Sequence, residues 1–212
     1  MRTIARPLSA ALATLSAIAL LTACTQVGTA APGRPGSDVT SSGGSGSSGS
    51  EASASWLEEY DLDGLDAREI IERLDTMPVA ERPAGLIASV QPDTLLLTDT
   101  AENETVFEMP EDEFYVSFAP YVDQTHDCYF HSLTTCLGEL SGEDIEITVT
   151  DEADGSVILD ESRQTYDNGF AGVWLPRGID ATLTVERDGR TATAQLSTGG
   201  EDPTCLTTLE LA

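Results

Sequence analysis

Phe114-Tyr115-Val116-Ser117-Phe118 is the stretch whose reading decides the fold. Side chains alternate across an extended chain, so Phe114, Val116 and Phe118 share one face. Ile145, Ile147 and Val149 repeat that alternation downstream. Asp154-Gly155 then turns the chain into Val157-Ile158-Leu159. Leu183 and Val185 lead to Asp188-Gly189, a strong hairpin signal, after which a Thr/Ala-rich strand returns. Leu206 to Leu211 forms a last strand. Short strands separated by turn signals predict a β-sandwich.

Upstream of Met109-Pro110-Glu111-Asp112 the pattern changes. Trp56 to Thr76 reads as helical, with Trp56, Leu57 and Tyr60 opening an apolar stripe. Asp66-Ala67-Arg68-Glu69 fits a capping box, and Ile70, Ile71 and Leu74 follow at helical spacing. Met77-Pro78 ends the helix. Leu86 to Glu108 predicts short strands around Leu95-Leu96-Leu97 and Val106-Phe107, with Gln91-Pro92-Asp93 as a turn. The expected class is α+β. A small helical and β unit at 56–110 precedes a mostly antiparallel, sandwich-like domain at 111–212.

The chain starts with a different kind of segment. Arg2 and Arg6 precede an apolar run from Leu8 to Leu21, too short for the roughly 20 residues of a spanning helix. The run ends in Leu21-Thr22-Ala23-Cys24, which resembles the bacterial lipobox. Residues 1–23 are therefore expected to be a signal peptide and Cys24 a lipidated residue. The plain alternative is an ordinary signal peptide with Cys24 left free. Residues 24–55, rich in Ser and Gly, are expected to be a flexible tether. The expected location is the outer face of the cell membrane, with membrane contact through the lipid alone.

The net charge is −27, and loss of Arg2 and Arg6 with the signal brings the mature chain near −29. Every basic residue is Arg. Nucleic-acid binding needs cationic phosphate contacts, and this chain has no basic patch to supply them. Acidity alone carries no metal specificity and reads first as solubility.

The cysteines say more. Of the 4 Cys, Cys24 is assigned to lipid, which leaves Cys128, Cys136 and Cys205. An odd number in an oxidising compartment leaves a thiol outside any intramolecular disulfide. Both histidines of the chain, His126 and His131, lie in the segment that holds Cys128 and Cys136. Thiolates select Cu(I), and imidazole suits copper and zinc. His126 and Cys128 project to one side of an extended chain, and Cys136 comes within reach if the chain turns. Two bland readings stand beside copper. Cys128 and Cys136 could pair as a structural disulfide with Cys205 buried and inert, or the cluster could hold structural zinc, the less favoured metal. A Cys–His hydrolase is conceivable, but no nucleophile elbow, phosphate loop or Cys-x-x-Cys motif accompanies the cluster.

Three blocks then resemble a known family. Phe114 to Val122 and Thr125 to Leu140 form the first, Asp167-Asn168-Gly169-Phe170 with Trp174 to Arg177 the second, and Pro203 to Leu209 the third. They resemble the CueP family of periplasmic copper-binding proteins over roughly 56–212. The lipobox, tether and acidity would mark a lipid-anchored, actinobacterial-type member. The resemblance implies copper binding outside the cytoplasm in copper tolerance, with Cys128, Cys136 and Cys205 as the metal-ligating thiols. It implies delivery of copper to a secreted Cu,Zn-superoxide dismutase, thiol-dependent reduction of Cu(II) and a homodimer. His126 and His131 are expected as auxiliary ligands, and no catalytic residue is assigned. Tyr129, Phe130 and Trp174 are expected to pack around the site, and Asn168-Gly169 to be a turn that positions Phe170 and Trp174. Three readings remain: a Cu(I) carrier, a Cu(II) reductase needing a thiol reductant, and a cell-surface interaction protein stapled by Cys128–Cys136.

Overall fold

The computed structural model describes residues 55–212, all within one compact unit. The signal peptide, Cys24 and nearly all of the expected tether lie outside the described residues. Among the described residues, eleven strands form three sheets, accompanied by one α-helix. No described helix is long and apolar enough to cross a membrane.

The expected helical region divides in two. Leu57–Tyr60 is a short 3-10 turn, and α1 is Ala67–Asp75. The break lies at Asp61 and Gly64, both with positive φ, a conformation that ends a helix rather than continuing it. The capping box is as expected. The Asp66 carboxylate accepts from the Glu69 amide at 2.9 Å, and the Glu69 carboxylate accepts from the Asp66 amide at 3.0 Å. Such a cap contributes about 1 kcal/mol. Ile70, Ile71 and Leu74 bury against Ala88 and Val90 of β1 (Ile87–Val90) and Leu95 and Leu97 of β2 (Thr94–Thr98). β3 (Glu104–Glu108) lies on the far side of β2. The fourth strand of this sheet, β5 (His131–Ser132), comes from beyond residue 110 and pairs Val90 with His131. The packing is therefore continuous across the expected boundary.

The sandwich is built from β4 (Glu113–Tyr121), β8 (Ala171–Pro176) and β11 (Cys205–Glu210) facing β6 (Asp144–Asp151), β7 (Val157–Gln164), β9 (Asp180–Arg187) and β10 (Arg190–Ser197). Asp188 and Gly189 have positive φ and join β9 to β10, as the hairpin signal requires. Phe114, Val116 and Phe118 of β4 meet Ile145, Ile147 and Val149 of β6 in the core. β4 is buried on both faces. On the opposite face Tyr115 joins the α1 cluster, Ser117 is buried, and Ala119 touches Cys136, Phe170 and Cys205. β11 runs parallel to β4 with Cys205 beside Ser117, which carries the distant cysteine to that face.

Candidate metal centre

The loop holding His126 and Cys128 lies between β4 and β5 and is fixed from outside. The Glu139 carboxylate accepts from the amides of Val122, Asp123 and Gln124 at 2.9, 3.0 and 3.0 Å. Those three donors hold its pKa below the usual carboxylate value. The Thr125 hydroxyl donates to the Thr207 carbonyl of β11 at 2.6 Å. After β5 the chain turns back, and the Cys136 amide donates to the Ser132 carbonyl at 3.1 Å. Gly138 then lies on the Asn168–Phe170 turn. A Cβ on Gly138 would stand 2.6 Å from the Gly169 carbonyl oxygen, so only glycine permits this approach. The same contact carries the Gly138 amide to the Asn168 carbonyl.

The chain from Cys128 to His131 is pinned to the start of β11. Amides of Thr204 and Cys205 donate to the Tyr129 carbonyl at 3.0 and 3.1 Å. The Thr204 hydroxyl accepts from the His131 amide and donates to the Val90 carbonyl at 2.6 Å. The three cysteines therefore meet. Cys128 and Cys205 form a disulfide across 77 residues, and Cys136 is the free thiol among the described residues. The pairing is thus with the distant cysteine, and the alternative Cys128–Cys136 staple is not formed. Loop closure explains why the sequence left this open: spacing along the chain says little about which partner the fold delivers.

The Cys136 sulfur lies 3.6 Å from that of Cys128. Two groups of ligand atoms result, each within 4.8 Å of one another. The outer group is His126, Cys128 and Cys136; the inner group is His131, Cys136 and Cys205. Cys136 belongs to both. His126 is exposed, whereas His131 and Cys205 are buried. Every site residue expected from sequence except Cys24 thus stands at one place.

His131 is fully buried, and its Nε2 is 2.9 Å from Asp75 Oδ1. Burial disfavours the charged imidazole, but the Asp75 carboxylate outweighs it, and the pKa rises to about 9. Burial likewise pushes Asp75 up, but the His131 charge and hydrogen bond, with donors from Tyr115 and Asn168, hold it below its ordinary value. The Tyr115 hydroxyl donates to Asp75 Oδ2 at 2.5 Å, Ser117 to the same oxygen at 3.3 Å, and Asn168 Nδ2 to Oδ1 at 2.9 Å. Burial raises the Cys136 thiol, yet the His131 imidazolium and the Ser132 amide, 3.4 Å from its sulfur, bring it below its usual value. Cys136 is therefore the most thiolate-like group of the site. Phe170 covers it from within, its ring 4.7 Å from that of His131 and 6.1 Å from that of His126.

Two expectations about packing change. Tyr129 and Phe130 are 54% and 40% exposed, so they do not shield the sulfurs from within. The reason is that the Tyr129 backbone, not its ring, is bound to β11. Trp174 lies away from the cysteines, 4.9 Å from the Tyr115 ring and beneath the Arg68 guanidinium. Asn168-Gly169 is a turn, as expected, but Asn168 also binds Asp75 directly. Sequence reasoning missed Asp75 and Arg82, whose Nη1 donates to the Cys136 carbonyl at 2.9 Å. Asp75 is one acid among 37, but it falls four residues after Ile71 and one after Leu74, on the buried stripe of α1, and that spacing is the signal that could have found it.

The model of the family described as periplasmic copper-binding protein CueP matches residues 69–210. The crystal structure of S.CueP is 37% identical, with a TM-score of 0.70 over 75% of this chain and 96% of that one. Among curated proteins, none matches. The family match spans the sandwich and all three sulfurs of the site, and the chain belongs to the CueP family of periplasmic copper-binding proteins.

Proposed function

We propose that this protein is an extracytoplasmic lipoprotein of copper homeostasis that binds Cu(I) on the thiolates of Cys128, Cys136 and Cys205, with His126 and His131 as further ligands. The observation that carries the reading is the convergence of three sulfurs and two imidazoles on two adjoining ligand groups that share Cys136. Soft thiolates favour Cu(I), and the depressed Cys136 thiol is ready to bind. Zinc accepts the same donor types; family membership favours copper. Filling both groups with thiolates requires that the Cys128–Cys205 bond be opened, which takes two electrons and two protons and returns two thiols. The exposed His126 side is the route of entry and of handover, with a secreted Cu,Zn-superoxide dismutase as the receiver. Lipid at Cys24 confines this exchange to the reach of the 24–55 tether. The test is competition for Cu(I) between the reduced protein and a chromogenic chelator. Replacing all three cysteines by serine is expected to abolish retention of copper; unchanged affinity overturns the reading.

The pairing of Cys128 with Cys205 favours a second, compatible activity. Two thiols give two electrons to two Cu(II) ions, forming the disulfide, two Cu(I) ions and two protons, while Cys136 remains to hold product. A thiol reductant then reopens the bond. Titration of free thiols before and after Cu(II) addition tests this. Loss of two thiols with appearance of two Cu(I) supports it, and thiols that stay titratable exclude it.

A further inference from the structure

Asp75 is the last residue of α1, far in sequence from every cysteine, yet its carboxylate is wholly buried against the inner ligand group. Its surroundings are unusually one-sided. Oδ2 receives the Tyr115 and Ser117 hydroxyls, and Oδ1 receives Asn168 Nδ2. The fourth neighbour is His131 Nε2 at 2.9 Å from Oδ1. An ionised carboxylate accepts only, so Nε2 must carry the proton of that contact. Nδ1 is the remaining ring nitrogen, and a metal binding there displaces the second proton of the imidazolium. Nδ1 points the opposite way, 3.9 Å from the Cys205 sulfur and within the group that includes Cys136.

We infer that Asp75 is a positioning residue for copper: it holds His131 by Nε2–H so that Nδ1, and not Nε2, is the ligating nitrogen of the inner group. The inference deepens the copper-binding reading above and rests on it. A carboxylate behind a ligating histidine fixes the ring's orientation and tautomer and raises its basicity as a ligand. Here that carboxylate is delivered by the N-terminal helix, whereas the sulfurs come from the loop and β11. Tyr115 and Asn168 hold the carboxylate in turn. Tyr115 reaches it by crossing Gly172, where a Cβ would stand 1.8 Å from the Tyr115 hydroxyl. The inner group is thus backed by contacts from α1, β4, the Asn168 turn and β8. Among the described residues no comparable hydrogen-bonded carboxylate stands behind His126, which is exposed. His131 is therefore the committed ligand and His126 the exchanging one.

Two measurements test this. The first is ring nitrogen NMR on the unmutated, 15N-histidine-labelled protein. In the metal-free protein His131 is expected to show an Nε2 proton protected from exchange. On loading the reduced protein with Cu(I), Nδ1 should shift while that proton persists. An Nε2 that loses its proton to copper overturns the inference without any variant needing to fold. The second is a cycle of Asp75→Asn, His131→Gln and the double variant, with Cu(I) affinity read by chelator competition. Asp75→Asn alone is expected to weaken affinity about ten- to a hundredfold. In the His131→Gln background it should have no further effect, because its action passes through that ring. Equal losses in both backgrounds would overturn it. If the unmutated protein retains no Cu(I) at all, the copper-binding reading itself has failed, which is a distinguishable result.

Discussion

The two faces of β4 teach different things about one strand. Phe114, Val116 and Phe118 point into the sandwich and pack among apolar side chains from β6, β8, β9, β10 and β11. Tyr115, Ser117 and Ala119 point the other way, where two hydroxyls reach a buried carboxylate and a methyl group touches the cysteines. The first face is held by area removed from water, which has no direction. The second is held by hydrogen bonds and charge, which act only in one geometry. The apolar face sets stability, and the polar face sets the position of His131.

The sandwich face gives the largest expected effect. Phe118→Ala should lower unfolding free energy by about 3–5 kcal/mol, read by urea denaturation, while the folded fraction keeps its copper stoichiometry. A matching loss of copper per folded molecule would erase the distinction between the faces. Gly138→Ala acts on the site side, forcing a methyl group against the Gly169 carbonyl. It should cost about 1–3 kcal/mol and speed alkylation of Cys136 in the metal-free protein. Alkylation at the unmutated rate would mean that the turn does not hold that cysteine in place.

The pH response of His131 belongs to the second face. His131 is raised from 6.5 to about 9 when folded, so its contribution to stability is complete below 6.5 and is lost as pH climbs through about 9. Metal-free protein should therefore weaken in urea over that window, and His131→Gln should flatten the slope. An unmutated protein with no such slope would show that the ion pair is not formed. Ser117→Ala removes a single hydroxyl from Asp75 and should cost about 0.5–1.5 kcal/mol, less than the aromatic loss one residue away. Phe130→Ala should be the mildest, within about 0.5 kcal/mol, because its ring is already partly in water. A larger loss would mean that the exposed aromatics support the site after all.

Much of the fold was legible because its signals are local. The Asp66–Glu69 box, the alternation of β4 and β6 and the Asp188-Gly189 hairpin each act over a few residues. Where a local signal failed, a local cause outweighed it: the left-handed Asp61 and Gly64 cut the expected helix in two. Tyr129 and Phe130 misled for another reason. Aromatic character predicts burial on average, but here the backbone of Tyr129 faces inward to β11 and leaves its ring outside.

The same division runs through the site. Residue chemistry by itself determined that sulfur and imidazole would gather in one segment and that one thiol would be left over, because composition and spacing are properties of the chain. Tertiary structure decided which cysteine that is, since the parallel pairing of β11 with β4 brings Cys205, not Cys136, within bonding reach of Cys128. It also decided what Asp75 would meet. Helical spacing puts that acid on the apolar stripe of α1, but a carboxylate becomes a buried hydrogen-bond acceptor behind His131 only when distant elements close around it.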